Sequence, residues 1–329
     1  MEKAHIDFAR RWPNLAEERL GATVPYATDD FFASKDNLIK SGRGIFDADR
    51  YTDRGKWMDG WESRRKRVPG HDYADVKLGL AGVVRAVDID TNHFLGNHPP
   101  EASIEGCYET GEISDDTQWF EVLSQVSLDP GSQNEFEVVA DQPVTHLRLH
   151  IFPDGGVARF KVYGDVFYDW QHWDQQSSVD LAGMACGARV LLVSDMFFGE
   201  KDNLIKPFEP ESMRDGWETR RKRGPGHDWS VIQLGHRGVL ESVEIDTSFF
   251  KGNFPDRMSL EGLDDSGLTV ENIASAAWVP ILAELPLKAH DRCIISSEQL
   301  LSQTPLTHLR LNIFPDGGVA RLRCLGRPV

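Results

Sequence analysis

Cysteine is scarce in this chain of 329 residues, which has only four cysteines and no C-x-x-C pair. A small secreted domain held by disulfides, or a zinc site built from cysteines, needs a denser and more regular cysteine pattern. We therefore expect reduced thiols with no shared function. The four lie far apart along the chain, at Cys107, Cys186, Cys293 and Cys324.

Long apolar segments and an excess of basic residues are also missing. No run approaches the roughly 18 apolar residues of a membrane helix, and the N-terminal MEKAHIDFARRW is too charged for a secretory signal. The 36 basic residues are outnumbered by 52 acidic ones, for a net charge of -16. This balance disfavours general binding to nucleic acid or to anionic membranes. We expect a soluble, cytoplasmic protein that does not bind nucleic acid or membranes.

Several widespread catalytic signatures do not occur. The sequence has no G-x-x-x-x-G-K-[ST], no H-E-x-x-H and no G-x-S-x-G. Nucleoside triphosphatase, zincin metalloprotease and serine hydrolase readings therefore have no support. Histidine, aspartate and glutamate are plentiful, but no spacing among them identifies a metal site. No cofactor is predicted, and a divalent metal stays an open alternative.

An internal repeat organises the chain. FFASKDNLIK at 31–40 returns as FFGEKDNLIK 166 residues later, and DGWESRRKRVPGHD at 59–72 returns as DGWETRRKRGPGHD after 156 residues. THLRLHIFPDGGVAR at 145–159 returns after 162 residues. The changes in spacing place ten extra residues in the first copy, near SGRGIFDADRYTDRGKW, and six extra residues in the second copy, between Pro255 and Thr307.

Each copy is long enough, at about 150 residues, to have its own hydrophobic core. We expect an N-terminal extension at 1–14, a first domain at 15–165, a linker at 166–180 and a second domain at 181–329. Strand patterns dominate, and a short helix near residues 5–20 is the main exception. Many short strands joined by Gly/Pro turns indicate an all-β fold of two tandem, jelly-roll-like antiparallel β-sandwiches.

The clearest strand pattern is HLRLHIF at 146–152, where Leu147, Leu149 and Ile151 alternate with polar residues. The Pro153–Gly156 turn follows, and then VARFKVYG. This pattern predicts a hairpin of two paired strands. Arg148, and Arg310 in the second copy, are expected on the face opposite the leucines, either in solvent or lining a cleft.

A dense polar loop in each copy holds the main candidate residues. Its R-R-K-R run is compatible with three roles: binding a small anion through guanidinium groups, pinning the loop to carboxylates and carbonyls, or nuclear targeting. The His-Asp pair at its end could supply acid–base chemistry or be structural. The Lys-Asp-Asn turns at 35–37 and 201–203 are either turn formers or site residues. The loop candidates are Glu62, Arg64, Arg65, His71 and Asp72, with Glu218, Arg220, Arg221, His227 and Asp228 in the second copy.

The repeated blocks FFA-x-x-x-NLI, DGWE-[ST]-RR-x-R-x-PGHD and THLRL-x-IFPDGG-x-AR, with EIDT-SFF-x-GN-x-P at 244–255, resemble the allantoicase family over nearly the whole chain. The first copy departs from this pattern at DIDTNHFLGNHP and in its ten-residue insertion. The resemblance implies two jelly-roll domains related to galactose-binding modules, usually in a homo-oligomer. It also implies hydrolysis of allantoate and water to (S)-ureidoglycolate and urea in purine degradation.

The resemblance suggests roles for the candidates. The hypothesis places Arg64 and Arg65, or Arg220 and Arg221, on the allantoate carboxylate. Glu62 or Glu218, or else His71 or His227, would activate water or protonate the departing urea. The remaining candidates are assigned as follows: Asp72 and Asp228 as catalytic, and Asn37, Asn203, Arg148 and Arg310 as substrate-binding.

Two other functions stay open at this point. A ureidoglycolate hydrolase or lyase would recognise the same carboxylate-and-ureido skeleton. A non-catalytic binding protein is the other, since jelly-roll domains often only bind a ligand. The doubled loop of Glu, Arg, His and Asp disfavours the binding protein.

Overall fold

The computed structural model describes residues 8–174 and 177–329. The chain forms two compact units, one ending at Phe167 and the other spanning Tyr168–Val329. The predicted N-terminal extension and linker include residues 1–7 and 175–176, which lie outside the described residues. Both units are built from antiparallel strands, and the described residues contain only short 3-10 turns and no α-helix. The all-β, duplicated jelly-roll prediction is confirmed.

The first unit has eleven strands in its described part, joined by turns and loops. The strands are β1 Thr23–Ala27, β2 Tyr51–Thr52, β3 Gly55–Lys56, β4 Trp61–Glu62, β5 Asp72–Asp90, β6 Glu101–Cys107, β7 Phe120–Ser127, β8 Gln133–Glu137, β9 Val144–Phe152, β10 Gly156–Val157 and β11 Arg159–Val166. Its 3-10 turns are Phe8–Arg10, Glu18–Leu20 and Lys35–Ile39. Two of these turns stand where a short helix is predicted near residues 5–20.

The second unit repeats this arrangement. Its strands are β12 Val179–Asp180, β13 Arg189–Val193, β14 Trp217–Glu218, β15 Asp228–Asp246, β16 Arg257–Leu263, β17 Val279–Pro286, β18 Arg292–Ser296, β19 Leu306–Phe314, β20 Gly318–Val319 and β21 Arg321–Pro328. Its 3-10 turns are Trp170–His172, Met184–Cys186, Lys201–Ile205, Met213–Asp215, Ile273–Ser275 and Ser297–Gln299.

One long strand in each unit joins the two layers of the sandwich. In the first unit, the beginning of β5 pairs with β1 and β9, and its end pairs with β8 and β11. Strands β9, β6 and β7 continue the first layer. The register of β5 against β9 breaks between Lys77 and Gly82. In the second unit, β15 connects its layers in the same way.

The predicted hairpin is wrong, although both of its strands exist. β9 pairs with β5 and β6, whereas β11 pairs with the other half of β5, so the two strands lie in different layers. The Pro153–Gly156 turn is thus a crossing between layers. Local alternation predicts which face of a strand is apolar, but it does not choose the pairing partner.

The core lies between the layers and consists of the apolar halves of the alternating strands. Leu147, Leu149 and Ile151 are fully buried there, together with Trp61 of β4. Beside it, the buried Arg159 guanidinium donates to Asp59 Oδ2 over 2.7 Å. Removing either partner would leave the other charge buried and unpaired, which is strongly destabilising. The ion pair between Asp59 and Arg159 therefore fastens the start of the polar loop to β11.

No helix in the described part of the chain is long and apolar enough to cross a membrane.

Candidate active site

The polar loop at 63–71 is pinned at both ends to the turn that follows β9. Ser63 N donates to Gly155 O over 3.1 Å, and Asp72 N donates to Pro153 O over 3.0 Å. In its middle, Lys66 N donates to Asp154 Oδ2 over 2.8 Å. The same three bonds recur in the second unit from Thr219, Asp228 and Lys222. The repeated IFPDGG block therefore positions the repeated polar loop.

Glu62 and Glu218 occupy equivalent places at the mouth of this loop. Asn97 Nδ2 donates to Glu62 Oε1 over 2.7 Å, and Asn253 makes the corresponding bond to Glu218. Burial raises the pKa of Glu62, and the hydrogen bond from Asn97 offsets part of that increase. A carboxyl group whose pKa is raised toward neutrality is suited to proton transfer.

A cleft of about 450 Å³ surrounds Glu62 in the first unit, and we call it the Glu62 cleft. The hairpin β2–β3, which belongs to the ten-residue insertion, contributes Arg54 and Lys56 to its wall. Arg54 donates to the carbonyl of Phe31, and the Lys56 ammonium lies 4.4 Å from the Phe46 ring. Within the residues that the structure describes, neither cation has a carboxylate partner. The other lining residues are Phe32, Phe46, Gly55, Met58, His93, Leu95, Gly96 and Asn97.

The predicted arginines of the polar loop are divided between two environments. Arg64 is bound by Asp29 (Nε to Oδ2 is 2.7 Å), and Arg220 is bound by Asp195 in the same way. Burial acts to raise the pKa of Asp29, but hydrogen bonds from Arg64 and Phe31 outweigh it and lower that pKa. Arg65 and Arg221 are exposed. A carboxylate thus neutralises each of Arg64 and Arg220. Their guanidinium groups lie over the rings of Phe31 and Phe197, respectively.

Asn37 and Asn203 bind backbone carbonyls. Asn37 Nδ2 donates to Gly60 O over 2.9 Å, and the buried Asn203 donates to Gly216 O over 3.1 Å. Both bonds support the strand that carries the glutamate. Asp72 and Asp228 are also buried, and each pairs with a lysine of its own loop, Lys66 or Lys222.

The predicted histidines lie on the strand face in a hydrogen-bonded relay. His71 Nε2 is 2.9 Å from His150 Nδ1, and His150 Nε2 is 2.9 Å from Glu105 Oε2. Because an ionised carboxylate only accepts, His150 donates to Glu105 and accepts from His71. Burial lowers the pKa of His71, and the nearby His150 and Lys66 lower it further. In neutral His71, the hydrogen bond to His150 places the proton on Nε2 and leaves the lone pair on Nδ1.

In the second unit, an asparagine takes the place of the middle histidine of this relay. His227 Nε2 is 3.1 Å from Asn312 Oδ1, and Asn312 Nδ2 donates to Glu261 Oε2 over 2.9 Å. The Asn312 amide accepts from His227 as His150 accepts from His71. Both units therefore hold their first histidine in one tautomer.

Arg148 and Arg310 lie on the same strand face as the histidines. Arg148 binds Asp75 through Nε and Nη2, at 2.6 and 3.0 Å, and it lies 4.4 Å from the Trp119 ring. Arg310 instead binds Glu261 and lies 5.2 Å from the Trp278 ring. Within residues 8–174 and 177–329, no side-chain hydrogen bond or ion pair joins this strand-face group to Glu62, so the predicted residues form two groups in each unit.

Sequence reasoning missed four residues of the Glu62 cleft: Arg54, Lys56, His93 and Asn97. Two signals for them were present. Arg54 and Lys56 belong to the ten-residue insertion, and His93 stands where the second copy has Phe249. Metal binding has no geometric support in the described ranges, where no group of three or more His, Cys, Asp or Glu is placed to hold an ion.

Comparisons with known proteins agree with the family resemblance of the sequence and with the fold. The allantoicase repeat family matches residues 13–167 and 179–329. The chain is 46% identical to a probable allantoicase of Ralstonia nicotianae, over 97% of this chain and 96% of the relative. It is also 46% identical to a probable allantoicase of Photobacterium profundum, over 99% of each.

A solved structure is similar over the same range. The crystal structure of allantoicase from Saccharomyces cerevisiae matches with a TM-score of 0.79 and 34% identity, over 98% of this chain and 95% of the yeast chain.

Proposed function

The chain belongs to the allantoicase family, and from this premise we propose that its Glu62 cleft is where the family's substrate is bound and hydrolysed. The protein is a hydrolase that converts allantoate and water to ureidoglycolate and urea. The observation that supports this location is the Glu62 carboxyl, with its raised pKa, in a cleft whose wall carries Arg54 and Lys56.

The cleft matches the chemical groups of allantoate. The substrate carries one carboxylate and two ureido groups on a single carbon. Arg54 and Lys56 offer N–H donors and positive charge to the carboxylate, and a guanidinium can bind it through two hydrogen bonds. The Asn97 amide already positions Glu62 and leaves its own oxygen as an acceptor for ureido N–H groups.

The proposed chemistry is proton transfer by Glu62 in two directions. Protonated Glu62 donates to the ureido nitrogen as the bond between that nitrogen and the central carbon breaks, and urea leaves. The resulting carboxylate then takes a proton from water as the water oxygen bonds to the central carbon. One water is consumed and Glu62 returns to its starting form.

The second unit lacks the hairpin that carries Arg54 and Lys56. Glu218 keeps its asparagine, but the described residues of the second unit include no counterpart of the β2–β3 hairpin. We therefore assign the reaction to the first unit, and we treat Glu218 as a structural copy of Glu62.

The test is urea release from allantoate by matched variants of the two glutamates. Glu62→Gln keeps the size and the bond from Asn97 but cannot exchange a proton. We expect turnover to fall by about 10²–10⁴-fold, the usual contribution of a general acid–base group. Glu218→Gln is the control, and it should retain turnover within about threefold of the unmodified chain.

Equal losses in both variants would contradict the assignment to one unit. Normal turnover in Glu62→Gln would move the reaction away from the Glu62 cleft. In that case His71→Ala and His227→Ala would test the histidine alternative, because each removes the imidazole that its relay holds in place.

Assembly stays a prediction from the family resemblance, and location stays a prediction from the composition of the sequence. We propose a homo-oligomer, which sedimentation of the purified protein would detect as a mass above 37.0 kDa. We also propose a cytoplasmic location, which cell fractionation would test.

A further inference from the structure

A second cleft, separate from the Glu62 cleft, opens on the outer face of the first unit. It has a volume of about 670 Å³ and lies between the β5–β9 strand face and the loop at 111–115. Cross-strand pairs place Asp75 opposite Arg148 and Lys77 opposite His146 along one wall. Tyr26 and Tyr73 form an aromatic edge, with ring centres 5.7 Å apart. We call it the strand-face cleft.

The strand wall offers hydrogen-bond donors. Asp75 binds Nε and Nη2 of Arg148, and Nη1 has no hydrogen-bond partner in the described part of the chain. Lys77 is exposed and has no ion pair within residues 8–174 and 177–329. The guanidinium is also held in place by the Tyr73 and Trp119 rings, each 4.4 Å away, so its donors are fixed in position.

The loop wall has the opposite character. Glu112 and Asp115 line it, together with Ser114. Carboxylates accept hydrogen bonds and attract N–H groups, as the strand wall attracts carboxylates. A ligand that spans the cleft therefore needs an anionic end and an end rich in N–H donors.

The second unit places apolar side chains on the equivalent strand face. Val231 replaces Asp75 and Gln233 replaces Lys77, while Leu268 and Ile273 pack on Val231 in one buried cluster. Leu268 and Ile273 belong to the stretch from Glu261 to Trp278. This stretch is three residues longer than the equivalent stretch of the first unit, from Glu105 to Trp119. The fold therefore does not require charged residues at these two positions, which carry Asp75 and Lys77 in the first unit and Val231 and Gln233 in the second.

We propose that the strand-face cleft is a second binding site, for a small carboxylate that also carries amine or ureido N–H groups. The carboxylate contacts Lys77 and Arg148 Nη1, and the N–H groups contact Glu112 and Asp115. The cleft lies apart from Glu62, so its occupation does not depend on the location assigned to the reaction above.

Amide hydrogen exchange with N-carbamoylglycine as the probe tests this site. The probe has one carboxylate and one ureido group, and it has no second ureido group to release. We expect millimolar probe to slow exchange at 111–115 by about threefold or more, both in the unmodified chain and in Glu62→Gln. Exchange in the second unit's loop at 264–278 should not change.

Two variants give the proposal its controls. Lys77→Gln installs the residue of the second unit at an exposed position, and Ser114→Trp fills the cleft from an exposed loop. Both should fold, and both should lose the protection at 111–115. The proposal would be overturned if the probe left exchange at 111–115 unchanged in the unmodified chain. It would also be overturned if the probe protected this loop as strongly in both variants as in the unmodified chain. Normal turnover in Glu62→Gln would overturn the proposed reaction site and leave this result unaffected.

Discussion

Asn97 donates a hydrogen bond to Glu62 over 2.7 Å, and the same asparagine accepts one on its backbone from Gly156 over 2.7 Å. Asn97 therefore connects the proton-transfer carboxyl with the turn that positions the polar loop. Glu62 is in addition paired directly with Gly156 in the short β4–β10 ladder. These three residues come from separate segments of the sequence, and together they hold Glu62 at the mouth of its cleft.

The bond from Asn97 should set the pH range of the reaction. This bond lowers the pKa of Glu62 against the increase that burial causes, so Asn97→Ala should raise that pKa further. An acid that must be protonated loses activity as pH rises through its pKa. We expect the alkaline limb of the kcat/KM profile to move to higher pH in Asn97→Ala.

Asn253→Ala is the matched control, because it removes the equivalent bond to Glu218 in the second unit. Its profile should coincide with that of the unmodified chain. A shift of the limb to lower pH in Asn97→Ala would show that the hydrogen bond favours the protonated form of the acid, contrary to the role given to it here.

The hairpin cations should act on substrate binding. Arg54→Gln combined with Lys56→Gln removes two charged donors from an exposed hairpin while Glu62 stays in place. A hydrogen bond to a charged group contributes about 1.5–3 kcal/mol, which corresponds to roughly 10–150-fold in affinity. We expect KM for allantoate to rise by that factor, with a much smaller change in kcat. Steady-state kinetics at fixed ionic strength would measure it.

Arg223→Gln is a suitable control, since Arg223 is an exposed loop cation of the second unit. It should leave both kinetic constants unchanged. If the double substitution lowers kcat and leaves KM unaltered, these cations do not bind the ground-state carboxylate.

The sequence predicts most of the fold because the patterns that indicate the strands and the duplication are local or repeated. The alternation of Leu147, Leu149 and Ile151 marks a half-buried strand, and the repeated blocks show the duplication. Strand pairing was not readable in the same way. The two strands around Pro153 pair with different halves of β5, and only long-range packing decides this.

The site was readable only in part, for a related reason. Glu62 and Arg64 stand two residues apart, but Glu62 faces Asn97 while Arg64 binds Asp29. Residues that are close in the sequence thus separate, and the distant Arg54 and Asn97 join Glu62. The insertion pointed to a difference between the copies, but it could not say that its cations line the cleft.

Asp88 should make stability depend on pH. Its side chain is fully buried. Burial and the nearby Asp90 raise its pKa to about 6, although a hydrogen bond from Gln133 acts to lower it. The folded state then binds a proton more tightly than the unfolded state, so stability falls as pH rises from about 4 through about 6. A shift of about two pKa units corresponds to about 3 kcal/mol.

Asp88→Asn should remove most of that dependence. We expect the difference in unfolding free energy between pH 4.5 and pH 7.5, measured by urea denaturation, to shrink by about 2 kcal/mol. Glu244→Gln, at the equivalent but half-buried position of the second unit, is the control and should not change the difference. An unchanged difference in Asp88→Asn would mean that Asp88 ionises at its ordinary pKa.

Gly156 should be intolerant of even one added methyl group. A Cβ at this position would overlap the ring of Phe94, which is buried. Overpacking typically costs about 1–3 kcal/mol, and relief requires the ring to move. Because Gly156 holds both Asn97 and Glu62, Gly156→Ala should also lower kcat, even at temperatures where the chain stays folded.

The nearby Gly96 separates this effect from a general sensitivity of the cleft to substitution. Gly96 lines the same cleft, but a Cβ there meets nothing within 4 Å. Gly96→Ala should therefore keep both stability and kcat. Adding Phe94→Leu to Gly156→Ala shortens the obstructing side chain and should restore part of the activity. If the double variant is as impaired as Gly156→Ala alone, steric overlap with Phe94 is not the cause of the defect.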